Sequence, residues 1–196
     1  MTDHPSCPHR APAGLTLRAA TPADAAVLCE FVRELAAFEG LAHECAITPE
    51  AIAEHLLGPR RCAAALLAEL DGQPAGFAVY YRTFSTFAAR PGIFLEDLYV
   101  RPAFRQRGLG RALLSAVAQI AHGRSSGRLE WTALKWNESA LRLYDAIGAR
   151  RMEEWTLLRL TPDAIAQLAG PCTPRTLAHC SCGGTGPHHH PVNDEA

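Results

Sequence analysis

The sequence predicts an α/β protein (α+β in its mixed sheet) with helices on both faces of one central sheet. A pair of apolar runs flanks Asp71-Gly72, a dipeptide that favours a tight hairpin. Further strand-like runs at 93–100 and 129–134 are separated by a run with helical spacing, in which Leu113, Leu114, Val117 and Ile120 recur. A chain of 196 residues, 48% hydrophobic and 20% charged, is large enough to bury a substantial core and has the composition of one globular domain.

The elements follow in order. Residues 15–18 form a short first strand. Thr21-Pro22-x-Asp24 starts a helix with a hydroxyl N-cap, Pro in the first turn and a carboxylate behind it. Leu28, Phe31, Val32 and Leu35 line one face of that helix, which ends near Gly40. Thr48-Pro49-Glu50 starts a second helix that Gly58-Pro59 stops. Strands at 63–69 and 75–82 enclose the hairpin turn, and a strand at 93–100 follows. After the helix beyond Gly110 come a strand at 129–134, a helix capped by Asn137 and closed by Gly148, a last strand at 155–160, and a short helix begun by Thr161-Pro162-Asp163. The predicted order is β-α-α-β-β-β-α-β-α-β. Residues 1–14 read as a disordered leader and 170–196 as a disordered tail, with 15–169 the folded domain.

Composition excludes several function classes. A formal net charge of −1 gives no global attraction for nucleic acid or an anionic membrane. No apolar run reaches the ~20 residues of a membrane-spanning helix, and the leader lacks an apolar signal core. A cytoplasmic location is therefore expected. The seven cysteines are odd in number and irregular in spacing, unlike a secreted disulfide framework. Cys172, His179, Cys180, Cys182 and His188-His189-His190 invite a metal reading, but their spacing matches no standard zinc site, and no metal is expected.

Function is signalled most strongly by Arg105-Gln106-Arg107-Gly108-Leu109-Gly110-Arg111, a Gly-rich loop between a strand and a helix. Backbone N–H groups at such a helix start make an anion cup suited to phosphate, and the arginines add charge-assisted hydrogen bonds. A nucleotide P-loop needs Lys and a hydroxyl after its last Gly, whereas Arg111-Ala112 follow here. A dinucleotide fingerprint needs Gly or Ala where Leu113 stands.

The pattern Arg105-x-x-Gly108-x-Gly110 instead resembles the pyrophosphate loop of the GNAT N-acetyltransferases. Residues 15–169 are most similar to the diamine (spermidine/spermine, thialysine) branch of that family. The matching words are Arg33-Glu34-Leu35-Ala36-Ala37-Phe38-Glu39, Phe94-Leu95-Glu96-Asp97-Leu98-Tyr99-Val100, the Gly-rich loop, Trp136-Asn137-Glu138, and Leu143-Tyr144-Asp145-Ala146-Ile147-Gly148-Ala149. The resemblance implies the GNAT acyl-CoA N-acyltransferase fold, acetyl-CoA as co-substrate and a homodimer. It implies that backbone groups of Leu98, Tyr99 and Val100 pair with the pantetheine arm like an added strand. Gln106, Arg107, Gly108, Leu109, Gly110 and Arg111 would hold the pyrophosphate, with Arg105 beside them as a further cofactor-binding residue. Asn137 would bond the pantetheine or cap the helix carrying Tyr144.

The chemistry explains why carboxylates and a tyrosine are needed. An alkyl ammonium has a pKa near ~10.4, so about one molecule in 10³ carries a free lone pair near neutral pH, a scarcity of roughly 4 kcal/mol. A carboxylate can hold the cation and accept its proton. Glu96 is the first candidate, two residues before Leu98 and so expected on the same strand face. Tyr144 matches the family's acid for the departing thiolate; by spacing alone it also suits an amphipathic core position. Asp97, adjacent to Glu96, is expected on the opposite face unless a bulge redirects it.

Phe38 and Glu39 at the end of the first helix, with Glu96, Asp97, Glu153 and Glu154, are expected to bind a small cationic amine. Phe38-Glu39 replaces the Tyr-Glu of the polyamine enzymes, and the segment from Tyr144 to Trp155 is shorter than in the animal enzymes. Both departures shift the implied acceptor from spermidine toward lysine-like or short diamine substrates. Two alternatives remain at this level: an acetyl-CoA-binding sensor without turnover, and an acetyltransferase whose acceptor is a protein amine.

Overall fold

The computed structural model describes residues 11–170. They divide into two compact units, one ending at Ala149 and the other beginning at Arg150. The first contains helices α1 (Ala25–Phe38), α2 (Pro49–Ala51), α3 (Leu109–Gly123) and α4 (Glu138–Ala146), and the second contains α5 (Pro162–Ala169). The sheet of the first unit runs β1 (Leu15–Ala19), β2 (Ala64–Leu70), β3 (Gln73–Ser85), β4 (Arg90–Val100), β5 (Leu129–Trp131). The first four strands are antiparallel and β5 lies parallel to β4, giving the expected mixed sheet. A parallel neighbour requires a crossover, and α3 supplies it.

Strand alternation sorts side chains to two faces. On one, Leu67, Phe77, Val79 and Tyr99 pack with Leu28 and Phe31 of α1 and with Ile52. On the other, Ala78, Tyr80, Ile93 and Leu95 pack with Leu113, Leu114 and Val117 of α3. The hairpin between β2 and β3 turns on Asp71 (φ 52°) and Gly72 (φ 76°), both left-handed as a type I′ turn requires. The start of α1 is fixed by a reciprocal cap. The Thr21 N–H and hydroxyl donate to Asp24 Oδ2 at 2.7 and 2.8 Å. Arg18 of β1 donates to both Asp24 oxygens at 2.8 Å and to Glu69 of β2 at 2.7 Å, tying two strands to that cap.

The decisive irregularity lies in β4. Val79 pairs with Asp97 but Tyr80 pairs with Leu95, so Glu96 is an extra residue, a β-bulge. Alternation therefore skips at this point. Asp97 shares the α1 face with Val79 and Tyr99, while Leu98, opposite Ala78, faces α3. Glu96 and Leu98 do not share a face, and the expectation from simple period-two counting is corrected.

Three further expectations are corrected. The second helix is not one regular element: α2 passes into a π-helical turn at Ile52–Leu56. The strand expected at 129–134 ends at Trp131, opposite Leu95, the residue before the bulge, and bulges commonly terminate pairing. Residues 155–160 form no strand among the described residues. Their apolar character suggested one, but a strand exists only through a hydrogen-bonded neighbour, and Trp155 and Leu158 are exposed. Among the described residues no helix is long and apolar enough to cross a membrane. Residues 1–10 of the expected leader and 171–196 of the expected tail, with its cysteines and histidines, lie outside the described residues.

Candidate active site

A cleft of about 540 Å³ opens where β4 leaves β5, lined by the end of α1, the second half of β4, the loop before α3, and α4. Glu96, the bulged residue, and its neighbours Leu95 and Asp97 line it. The N–H of Arg101 donates to Ala75 O at 2.9 Å. With the register of β3 and β4, antiparallel alternation then directs the main-chain groups of Tyr99 toward β3 and those of Leu98 and Val100 outward. Because β5 ends opposite Leu95, this outward edge has no strand beside it. Leu98 and the N–H of Val100 thus lie on the free edge, whereas the main-chain groups of Tyr99 turn toward β3. Val100 O accepts Arg105 Nε at 2.9 Å.

The edge leads to the start of α3. Gly108 is its N-cap, with φ 83°, and Gln106 also has positive φ, at 60°. Such a backbone path turns successive N–H groups inward. The first i→i−4 bond runs from Ala112 N to Gly108 O at 3.0 Å. The N–H groups of Leu109, Gly110 and Arg111 therefore lack helical acceptors. Gln106, Gly108, Leu109, Gly110 and Arg111 all line the cleft. Arg107 does not; its guanidinium lies 6.0 Å from the Phe104 ring centre. Arg105 lies over Phe38 at 4.6 Å and near Tyr99 at 5.5 Å, so its cation rests on aromatic faces beside the loop.

Tyr144 enters from α4. Asn137 caps that helix, its Oδ1 accepting Ala140 N–H at 3.2 Å, which settles one of its two expected uses. The Tyr144 ring stands edge-on to Trp131, centroids 5.1 Å apart, and its hydroxyl has no hydrogen-bond partner among the described residues. Burial raises its pKa, so the phenol stays protonated at neutral pH, the form a proton donor requires.

The carboxylates gather at the α1 side. Glu39 caps the C-terminus of α1, and burial raises its pKa. Glu96 is exposed and lies beside the Tyr81 hydroxyl, whose pKa is raised by burial and by that carboxylate. Asp97 is half-buried, and its pKa is pushed up to about 6 by burial first, then by the negative charges of Glu96 and Glu39. Phe38 and Trp136 pack at 5.5 Å at the rim. Glu153 and Glu154 belong to the second unit and are exposed.

Sequence reasoning missed several contributors. Trp131 orients Tyr144, and Gly76 lets β3 approach β4 so closely that an added Cβ would lie 2.5 Å from Tyr99 O. Arg101 lies over Phe31 at 4.4 Å and bonds Glu34 and Glu30, tying α1 to the end of β4. A lone glycine amid the apolar β3 was the one available signal. Among the described residues no group of three or more His, Cys, Asp or Glu is placed to hold a metal ion.

Comparison with known proteins places the chain in a family. Residues 30–149 match the Acetyltransferase (GNAT) family. A thialysine N-epsilon-acetyltransferase of Mus musculus is 31% identical over 81% of this chain and 99% of its own length. The L-ornithine N5-acetyltransferase NATA1 of Arabidopsis thaliana is 27% identical over 76% of this chain and 85% of its own. An integron cassette protein from the mobile metagenome of V. cholerae shares the fold, with a TM-score of 0.69 and 22% identity, covering 81% of this chain and 99% of its own.

Proposed function

Because this chain belongs to the GNAT acetyltransferase family, we propose that it moves an acetyl group from acetyl-CoA to a primary amine of a small cationic substrate, by direct attack in a ternary complex. The observation that carries this reading is the continuity of one cleft. An open strand edge at Leu98 and Val100 runs into the N–H cup at Leu109–Gly110–Arg111, with Tyr144 and three carboxylates on the same walls. The edge suits the amide groups of a pantetheine arm, and the cup suits a pyrophosphate. The outward N–H of Leu98 polarises the thioester carbonyl.

The amine nitrogen attacks the acetyl carbon, the C–S bond breaks, and Tyr144 gives its proton to the sulfur. The phenolate recovers a proton from the nitrogen as the amide forms. These steps balance without a metal or a covalent acyl-enzyme. Names of the relatives favour a lysine- or ornithine-like acceptor; a short diamine or polyamine fits the same carboxylates. A cytoplasmic homodimer acting on small molecules, without nucleic acid or membrane, completes the reading.

The test is a CoA-release assay with acetyl-CoA against thialysine, lysine, ornithine, putrescine, spermidine and a lysine peptide. Turnover on a small amine supports the enzyme reading and names the acceptor. Turnover on the peptide alone overturns the small-molecule reading. Acetyl-CoA binding with no turnover at all would favour a sensor.

A further inference from the structure

The cleft holds two adjacent acidic residues on β4, and the bulge gives them unequal surroundings. Glu96 is the extra residue: it is exposed, and its carboxylate lies beside the Tyr81 hydroxyl. Asp97 is back in the ladder opposite Val79, on the α1 face and next in sequence to Leu98. Its carboxylate has no hydrogen-bond or ion-pair partner among the described residues. Glu96 on its own strand and Glu39 at the end of α1 face it, while Tyr144 of α4 and Arg105 of the loop line the same cleft. A buried carboxylate without a partner is costly, and an arriving ammonium would supply that partner.

We propose that Asp97, rather than Glu96, accepts the proton of the attacking ammonium, and that Glu96 with Glu39 holds the remaining positive charge of the acceptor. The proposal rests on the acetyltransferase reading above. The ammonium N–H bond breaks, its proton passes to the Asp97 carboxylate, and the electron pair left on nitrogen forms the C–N bond. After product leaves, Asp97 releases the proton to water. A base that works near neutral pH needs a pKa not far below it, and the elevation of Asp97 to about 6 is in keeping with this role.

The experiment is the pH dependence of kcat/KM, with the amine found above, for the wild type, Asp97→Asn and Glu96→Gln. In the wild type kcat/KM is expected to fall on the acidic side with an ionisation near 6. Asp97→Asn keeps the side-chain shape, so folding and the Kd of acetyl-CoA are expected to hold. It should lose the acidic limb and about 10²–10³-fold in kcat/KM at pH 7, regaining activity as the pH nears the amine's own pKa. Glu96→Gln should keep the limb and raise KM. Asp97→Ala should be partly restored by added formate, which replaces a proton acceptor but not a lost packing contact. An acidic limb that survives in Asp97→Asn, or vanishes in Glu96→Gln, overturns the assignment while leaving the acetyltransferase reading intact. A wild type silent on every amine overturns that reading, and the assignment with it.

Discussion

Tyr144 shows how much one side chain depends on its neighbours. Its place on α4 is set by the Asn137 cap and its ring by Trp131, and burial moves its pKa further above neutrality. Tyr144→Phe removes only the hydroxyl, so the ring pair survives. kcat is expected to fall about 10²-fold, the lower end for loss of a general acid, with the Kd of acetyl-CoA nearly unchanged. Stopped-flow turnover beside calorimetric binding checks both halves. Equal loss in binding and rate would make Tyr144 a packing residue. Spacing alone could not separate these roles, because a tyrosine three residues from both Leu141 and Ile147 also suits an amphipathic stripe.

At the scale of elements, β4 and its neighbours carry the design. Gly76 on β3 permits a close approach to Tyr99 O. Gly76→Ala would push β4 outward just where its free edge begins. A loss of about 1–3 kcal/mol in stability is expected from such overpacking, with the KM of acetyl-CoA raised more than that of the amine. Denaturant melts and steady-state kinetics check this; a raised amine KM alone would contradict it.

The same elements show what could be read in advance. The Asp71-Gly72 hairpin, the cap at Thr21 and Asp24, and the Gly108 start of α3 were legible, because each depends on local backbone preference. The bulge was not. Glu96 carries no local mark of an extra residue, and its pairing partner lies on another strand. From that one unreadable feature came the misplaced face of Glu96 and the overlong β5. The run at 155–160 was misread for a related reason: an apolar sequence does not reveal whether a neighbouring strand is there to receive it.

Across the whole molecule, two carboxylates pull stability in opposite directions with pH. Asp24 is held well below the usual carboxylate range, first by its hydrogen bonds from Arg18. Its contribution is present above pH ~4 and is lost as the pH falls through its lowered pKa. Asp97 has a raised pKa, so the folded state binds its proton more tightly than the unfolded chain does. Its contribution is present below pH ~4 and is lost as the pH rises through about 6. Asp97→Asn is therefore expected to melt higher than the wild type at pH 7, by up to about 3 kcal/mol, with the difference vanishing below pH ~4. Thermal melts from pH 3 to 8 test this, and equal melting at pH 7 would contradict it. Stability given up at neutral pH for an ionised, unpartnered carboxylate is the mark of a working site.

The bare edge of β4 has a consequence beyond catalysis. Exposed ladder groups invite another chain to pair with them, and charged side chains placed on such edges discourage it. Arg105 sits where such a guard belongs, its Nε engaging Val100 O and its cation laid over Phe38. Arg105→Ala is thus expected to scatter light at lower temperature than the wild type when heated without acetyl-CoA. Saturating acetyl-CoA should delay this aggregation in both proteins, and indifference to it would show that clumping begins elsewhere. The seat proposed for the acyl carrier and the molecule's solubility would then be kept by the same few atoms.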